Sequence, residues 1–221
     1  MKLILEKLKI IGLLLTMLVL DQLVVTVAAL MSKQHALATG WAVALFLAQV
    51  LATALFLVYA KRKQLLSGKV FWSGRTIKIA LLAWLAMRLP MYAGSAIMAL
   101  EGVKNTANQA ALASLMTRLP LALMGLFTVI SAPIMEEIMF RHVIPKELFK
   151  SHQKIGFVIG VLLFALLHGP SDLGSFVVYA GTGAVLAYVY YKTECLEYSI
   201  VTHALNNGLS FLMMMLLPLL T

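Results

Sequence analysis

An all-α, polytopic transmembrane bundle of about seven spans, within a range of about six to eight, is predicted from three observations. Sixty-two per cent of the 221 residues are hydrophobic, only 12% are charged, and the mean hydropathy is +0.93. Such values lie well outside those of soluble domains. The apolar residues fall into long blocks of about 17 to 25 residues, the length that crosses a hydrocarbon core about 30 Å thick. Lysine and arginine gather in alternate gaps between those blocks.

The first block runs from Leu3 to Leu30, with Lys7 and Lys9 near its start and Asp21-Gln22 embedded in it. It is too long for the apolar region of a cleaved signal and lacks a small-residue cleavage site, so it reads as a retained helix. The second block, Ala36 to Ala60, stops at Lys61-Arg62-Lys63. The following segment suits a short amphipathic helix on the membrane surface, with Val70, Phe71 and Trp72 dipping into the interface. The third block, Ile77 to Leu100, contains Arg88 and Pro90. Proline predicts a kink there, and Asp21 and Arg88 are candidates to pair between the first and third helices.

Residues 101 to 118 read as a loop. The fourth block begins near Leu119 and continues past two glutamates to Phe149, with Pro133 and Pro145 inside it. Each proline removes a backbone donor and crowds the preceding turn, so a bend or a stop is expected. The fifth, sixth and seventh blocks run from Ile155 to His168, Ser175 to Tyr191 and Cys195 to Leu217. The chain thus reads as one integral membrane domain over 1–221, with helices one to three and their loops in 1–118 and helices four to seven in 119–217.

Charge sets the expected orientation. With the N-terminus inside, fourteen basic residues from Lys2 to Lys192 fall in inside segments, against Lys33, Lys104 and Arg118 outside. The positive-inside rule then favours a cytoplasmic N-terminus and an external C-terminus. The net charge of +9 is mostly this asymmetry, so the lipid bilayer is the implied partner and no nucleic acid is needed to explain it. A single cysteine, Cys195, closes no intrachain disulfide, and helix packing must hold the fold. His35, His142 and His152 fall near the expected interfaces and read as solvated, and Met213-Met214-Met215 reads as flexible packing.

Three polar signatures interrupt the later apolar blocks: Glu136-Glu137-x-x-x-Arg141, Phe164-x-x-x-His168 and His203-x-x-x-Asn207. An ionisable side chain at mid-membrane costs about 2.5–3.5 kcal/mol or more, so this many at helical spacing point to one shared site. Residues four apart share a helix face, which lets Glu137 pair with Arg141 and aims His203 and Asn207 the same way. Glu136 and Glu137 are rotated by about 100°, so one faces a cavity while the other is held by Arg141 or a histidine. At 1.5 Å per residue, Glu137 and His168 lie roughly 20 Å, and His203 roughly 12 Å, from the ends of their helices next to the basic loops. The signatures can therefore meet, with the site opening towards that expected cytoplasmic half.

The chemistry available to this set is water activation. A glutamate in an apolar setting is a strengthened base, a histidine relays the proton, and an asparagine or second histidine donates to an oxyanion. No G-x-S-x-G elbow is present, and the lone cysteine has no evident partner. Zinc is the competing reading, with Glu136, His168 and His203 as ligands. H-E-x-x-H is absent and asparagine is a poor zinc ligand, which favours a site without a cofactor.

The combination of the three motifs, in that order over Ala132 to Asn207, closely resembles the CAAX protease and bacteriocin-processing family of intramembrane peptidases, also called the Abi family. The resemblance implies endopeptidase activity on a peptide or protein substrate reaching the site from the membrane or the cytoplasmic side. It implies that Glu136 and His168 activate water, His203 and Asn207 bind the oxyanion, and Glu137 and Arg141 support them, while Phe164 by itself reads as packing that sets a wall of the site. It also implies a bacterial cell membrane and a role in bacteriocin maturation or self-immunity. His142 stands where the family often has glycine, and Gly169-Pro170 should end the helix just after His168. A non-catalytic immunity or scaffold protein, and a zinc-dependent form of the same peptidase, are the alternatives.

Overall fold

A computed structural model describes residues 2–33, 37–68, 70, 71 and 73–220, with side chains over 4–33, 37–68, 70, 71 and 73–216. The expectations for His35 and Trp72 lie outside these residues. The described chain is helical in the predicted order: α1 (Lys2–Met31), α2 (Thr39–Arg62), α3 (Gly74–Leu100), α4 (Ala107–Met116), α5 (Leu121–Leu148), α6 (Gln153–Leu167), α7 (Leu173–Thr193) and α8 (Leu196–Leu220). Five of them, α1, α2, α3, α5 and α7, are long and apolar enough to cross a membrane. Leu15, Val19, Leu23, Leu47, Leu51 and Leu55 stay exposed on α1 and α2. A water-soluble bundle would bury such rows, whereas lipid solvates them. This is an integral membrane protein.

Burial locates the centre. Half of the apolar window of α5 is buried, against 44% in α7, 28% in α2, 22% in α3 and 17% in α1. α5 is therefore the axial helix, and it carries both glutamates. Its prolines neither stop nor sharply divide it: the helix widens into π-turns over Leu126–Ser131 and again over Ile138–Leu148. Pro133 follows the first π run and Pro145 lies inside the second. Widening absorbs the missing donors, and the expected bend or stop is replaced by a change of helical pitch.

Close backbone approach fixes the helices around α5. A Cβ on Gly160 would stand 2.5 Å from the Phe140 carbonyl oxygen, and one on Gly156 would stand 2.6 Å from Pro145 Cα. On the other side, Gly94 of α3 faces Gly174 and Val178 of α7, while Gly181 packs on the Pro90 ring. Small residues permit this where no hydrophobic force drives helices together in lipid. Pro90 lies inside a continuous α3.

Two connecting segments differ from expectation. Residues 107–116 form α4, capped by the Thr106 hydroxyl, which accepts the Gln109 amide at 3.2 Å. Leu112, Leu115 and Met116 turn inward against a cluster containing Leu119 and Leu123. Conversely, no helix forms among the described residues between Arg62 and Gly74. The Ser67 hydroxyl and the Ser67 and Gly68 amides donate to Glu197, while Val70 packs near Val189 and Tyr198 and Phe71 against the main core. The strap is pinned to the start of α8, so its apolar side chains serve the protein and not the membrane surface. His142 is also not simply solvated: its Nδ1 lies 3.0 Å from the Tyr190 hydroxyl and its Nε2 3.5 Å from Glu147.

Gly160→Val should force α6 away from α5 and lower stability by about 1–3 kcal/mol or more, because backbone at Phe140 cannot yield as a side chain would. Thermal unfolding in detergent measures this, and an unchanged midpoint would show that the two helices are not locked by that contact.

Candidate active site

The axial helix presents its two glutamates in different directions. Glu137 points into the protein and is fully buried. It accepts from His203 Nδ1 at 3.0 Å, lies 3.2 Å from Arg141 Nε, and accepts the Ser199 hydroxyl. Arg141 is fully buried as well, with its guanidinium 4.7 Å from the centre of the Phe164 ring. Buried ions persist only when paired and desolvated together, and this cluster supplies carboxylate, guanidinium and an aromatic face at once.

Glu136 lies one residue, and so about 100°, around the helix. It lines a cavity of about 580 Å³ together with Phe164, His168, His203 and Asn207. Its Oε2 stands 4.0 Å from His203 Nε2. Glu137 and Arg141 are absent from the cavity wall. The question that adjacency left open is answered by rotation: Glu136 faces the cavity, and Glu137 holds His203 from behind.

His168 caps the C-terminal end of α6, where Gly169 takes a positive φ of 61°. This agrees with the stop expected from Gly169-Pro170. The imidazole Nδ1 lies 2.7 Å from the Phe164 carbonyl oxygen. A carbonyl only accepts, so Nδ1 carries the proton and Nε2 of the neutral ring is left as an acceptor. The ring stacks on Tyr179, centres 4.4 Å apart and planes 26° from parallel. Tyr179 in turn shares a 2.6 Å hydrogen bond with the Thr106 hydroxyl. Phe164 links the parts: its ring lies 4.5 Å from that of His168, 5.8 Å from that of His203 and 5.7 Å from that of Phe140.

Asn207 Nδ2 donates to the Thr128 carbonyl at 3.0 Å, which orients the amide and leaves its second N–H free for the cavity. Next to it, Asn206 Oδ1 accepts from Arg88 Nη2 at 2.6 Å, and the Arg88 guanidinium lies over Trp84. Arg88 therefore ties α3 to α8. The expected pair with Asp21 does not form; Asp21 instead accepts from Gln22 at 2.8 Å and lines the same cavity as Glu136.

The cavity runs away from the basic loops. Its rim at the far end includes Lys104, Asn105, Asn108 and Gln109, before and within α4. Depth counted from the basic ends of the helices predicts an opening in the other half. That expectation is corrected, because distance from one end does not tell which end is sealed. Ile138, Met139, Val143 and Ile144 close the basic side as fully or almost fully buried core.

Zinc held by Glu136, His168 and His203 requires three donors around one point. Among the described residues, no group of three histidine, cysteine, aspartate or glutamate side chains is disposed to hold a metal ion. The donors as placed do not fit that site.

Ser199, Tyr179 and Thr106 escaped sequence reasoning. Ser199 had a signal, since 199, 203 and 207 form one i, i+4 stripe. Tyr179 and Thr106 come from segments without a motif, and only their packing reveals them.

Residues 118–209 match the family model described as "Type II CAAX prenyl endopeptidase Rce1-like". Over these residues, about two fifths of its length, the chain is similar to the CAAX protease family. Two curated relatives match part of this chain. UPF0177 protein YvdC of Lactococcus lactis subsp. lactis (strain IL1403) is 33% identical over 102 residues, 46% of this chain and 39% of that protein. Membrane-embedded CAAX protease MroQ of Staphylococcus aureus (strain USA300) is 35% identical over 99 residues, 42% of this chain and 39% of that protein. The match thus covers about two fifths of either relative. No solved structure matches the chain.

The two glutamates should separate in a stability assay. Glu137→Ala leaves Arg141 buried without its carboxylate and should cost about 3–5 kcal/mol. Glu136→Ala, on a cavity wall, should change stability by less than about 1 kcal/mol. Equal losses at both positions, measured by thermal unfolding in one detergent, would contradict the division.

Proposed function

We propose that this protein is an intramembrane endopeptidase that hydrolyses a peptide bond with a water activated by Glu136 and His168. The observation that carries the reading is that Glu136, His168, His203 and Asn207, from three helices, line one cavity. The family match over the same helices and the relative named as a membrane-embedded CAAX protease support it.

In this mechanism a water between Glu136 and His168 loses a proton to Glu136 as its oxygen bonds to the scissile carbonyl carbon. His168 Nε2, an acceptor because Nδ1 donates to Phe164, orients the water. The tetrahedral oxyanion takes hydrogen bonds from the free Asn207 N–H and from His203 Nε2. Since His203 Nδ1 already donates to Glu137, the second donation requires an imidazolium, and Glu137 and Glu136 on either side of the ring stabilise that charge. As the C–N bond breaks, the proton held by Glu136 passes to the departing nitrogen, giving an amine and a carboxylic acid. Glu137 and Arg141 position His203. No cofactor takes part. The biological role proposed is peptide maturation or self-immunity, as for bacteriocins.

Alanine at Glu136, His168 or His203 should abolish cleavage while leaving membrane insertion intact. Losing a single oxyanion donor through Asn207→Ala should lower kcat by about 10²–10³. Full activity in the first three variants would overturn the proposal. A chelator that removed activity, restored by zinc alone, would replace the water mechanism with a metal one.

A further inference from the structure

We infer that the cavity opens on the extracytoplasmic face, so that the substrate is a peptide segment presented there, after or during export. This rests on the peptidase reading for the word substrate but on independent observations for the side. Translocation of the peptide must therefore supply the reaction.

The first observation is charge. The N-terminal end of α1, the α2–α3 strap and the α5–α6 turn lie at one end of the bundle, where Lys7, Lys9, Lys61, Arg62, Lys150 and Lys154 are exposed. Arg141, the one basic residue of that half drawn into the core, does not contribute. The opposite end carries only Lys33, Lys104 and Arg118. Such an imbalance places the first end in the cytoplasm.

The second observation is the shape of the cavity. Most of the lining belongs to the other half of its helix or to the α3–α4 connection, as with Asp21 in α1, Met98 in α3, Asn108 in α4, His168 after α6 and Phe211 in α8, while Glu136 and Phe140 of α5 and His203, Asn206 and Asn207 of α8 lie just past mid-helix and form its floor. None comes from the strap or from the α5–α6 turn. Helix length explains why. α6 has 15 residues, so it rises about 22 Å and ends about 8 Å short of the far side of a core about 30 Å thick. His168 and the Gly169–Asp172 turn are left sunk below that face, and the space above them is bordered on one side by Asn108, Gln109 and Leu112 of α4. The mouth offers Lys104, Asn105, Asn108 and Gln109, which can hydrogen-bond an extended backbone, while Met98, Phe211 and Met214 give apolar walls for its side chains. A membrane-proximal, amphipathic peptide on the outer leaflet fits this combination.

The test uses the full chain with Cys195→Ser and a single new cysteine: Asn108→Cys at the mouth, Ser210→Cys deeper in the cavity, or Lys63→Cys at the basic end. A membrane-impermeant maleimide is applied to intact cells and, separately, to inverted vesicles. The expected result is labelling of the first two from the cell exterior, lost when the reagent is confined to the cytoplasmic face, with the reverse for Lys63→Cys. Labelling of Ser210→Cys from the cytoplasmic face only, or from neither face, overturns the inference. Labelling reports the open face whether or not the protein cleaves anything, so its failure is distinct from that of the peptidase reading. In oriented proteoliposomes, cleavage of an impermeant fluorogenic peptide added only on the face that labels Asn108→Cys supports the inference. Cleavage only from the face that labels Lys63→Cys overturns it.

Discussion

Everything in the site leans on the buried contact between Glu137 and Arg141. An arginine with no solvent exposure is tolerable only because a carboxylate stands 3.2 Å from its Nε and an aromatic ring lies under its guanidinium. That requirement immobilises Glu137, and Glu137 then fixes His203 through Nδ1 and Ser199 through its hydroxyl. With α5 held to α8 in this way, the next residue along, Glu136, has one direction left, towards the cavity. Phe164 completes the arrangement, because the ring under Arg141 is also the ring beside His168.

The two histidines are held by different means. His203 is gripped by charge in the core, whereas His168 is gripped by a carbonyl from its own helix and by stacking on Tyr179. These restraints hold Nδ1 of each ring and leave the same nitrogen, Nε2, towards the cavity. One histidine offers a lone pair and the other, when doubly protonated, a donor. In the proposed mechanism, the division between the histidine that orients the water and the one that binds the oxyanion rests on the partners of each ring, without any difference in residue type.

Much of this could be read in the sequence for a simple physical reason: in lipid, hydrophobic length and intrahelical spacing are nearly sufficient descriptors. The seven apolar blocks and the three i, i+4 or adjacent polar pairs are local patterns, and local patterns survive into the structure. What failed was non-local. Asp21 and Arg88 are plausible ion partners by charge, yet Arg88 reaches Asn206 because helix packing, not charge, sets its neighbours. α4 was hidden because ten residues, with inward Leu112 and Leu115, give too short an apolar stripe to distinguish from loop. The opening of the cavity was misjudged since periodicity locates depth but not which end is filled. The π-turns of α5 have no compositional signature that separates them from α-helix.

Those π-turns make the site depend on counting. A π run amounts to extra chain accommodated without breaking the helix, and in α5 one such run, Leu126–Ser131, precedes the glutamates. Relaxation of that run to α geometry with no residue lost would turn everything after it by about 100°. That rotation is the angle between neighbouring positions, enough to swing Glu136 off the cavity wall while every residue of all three motifs stayed intact. The register of an unremarkable apolar stretch is thus as much a part of the site as the carboxylates it aims.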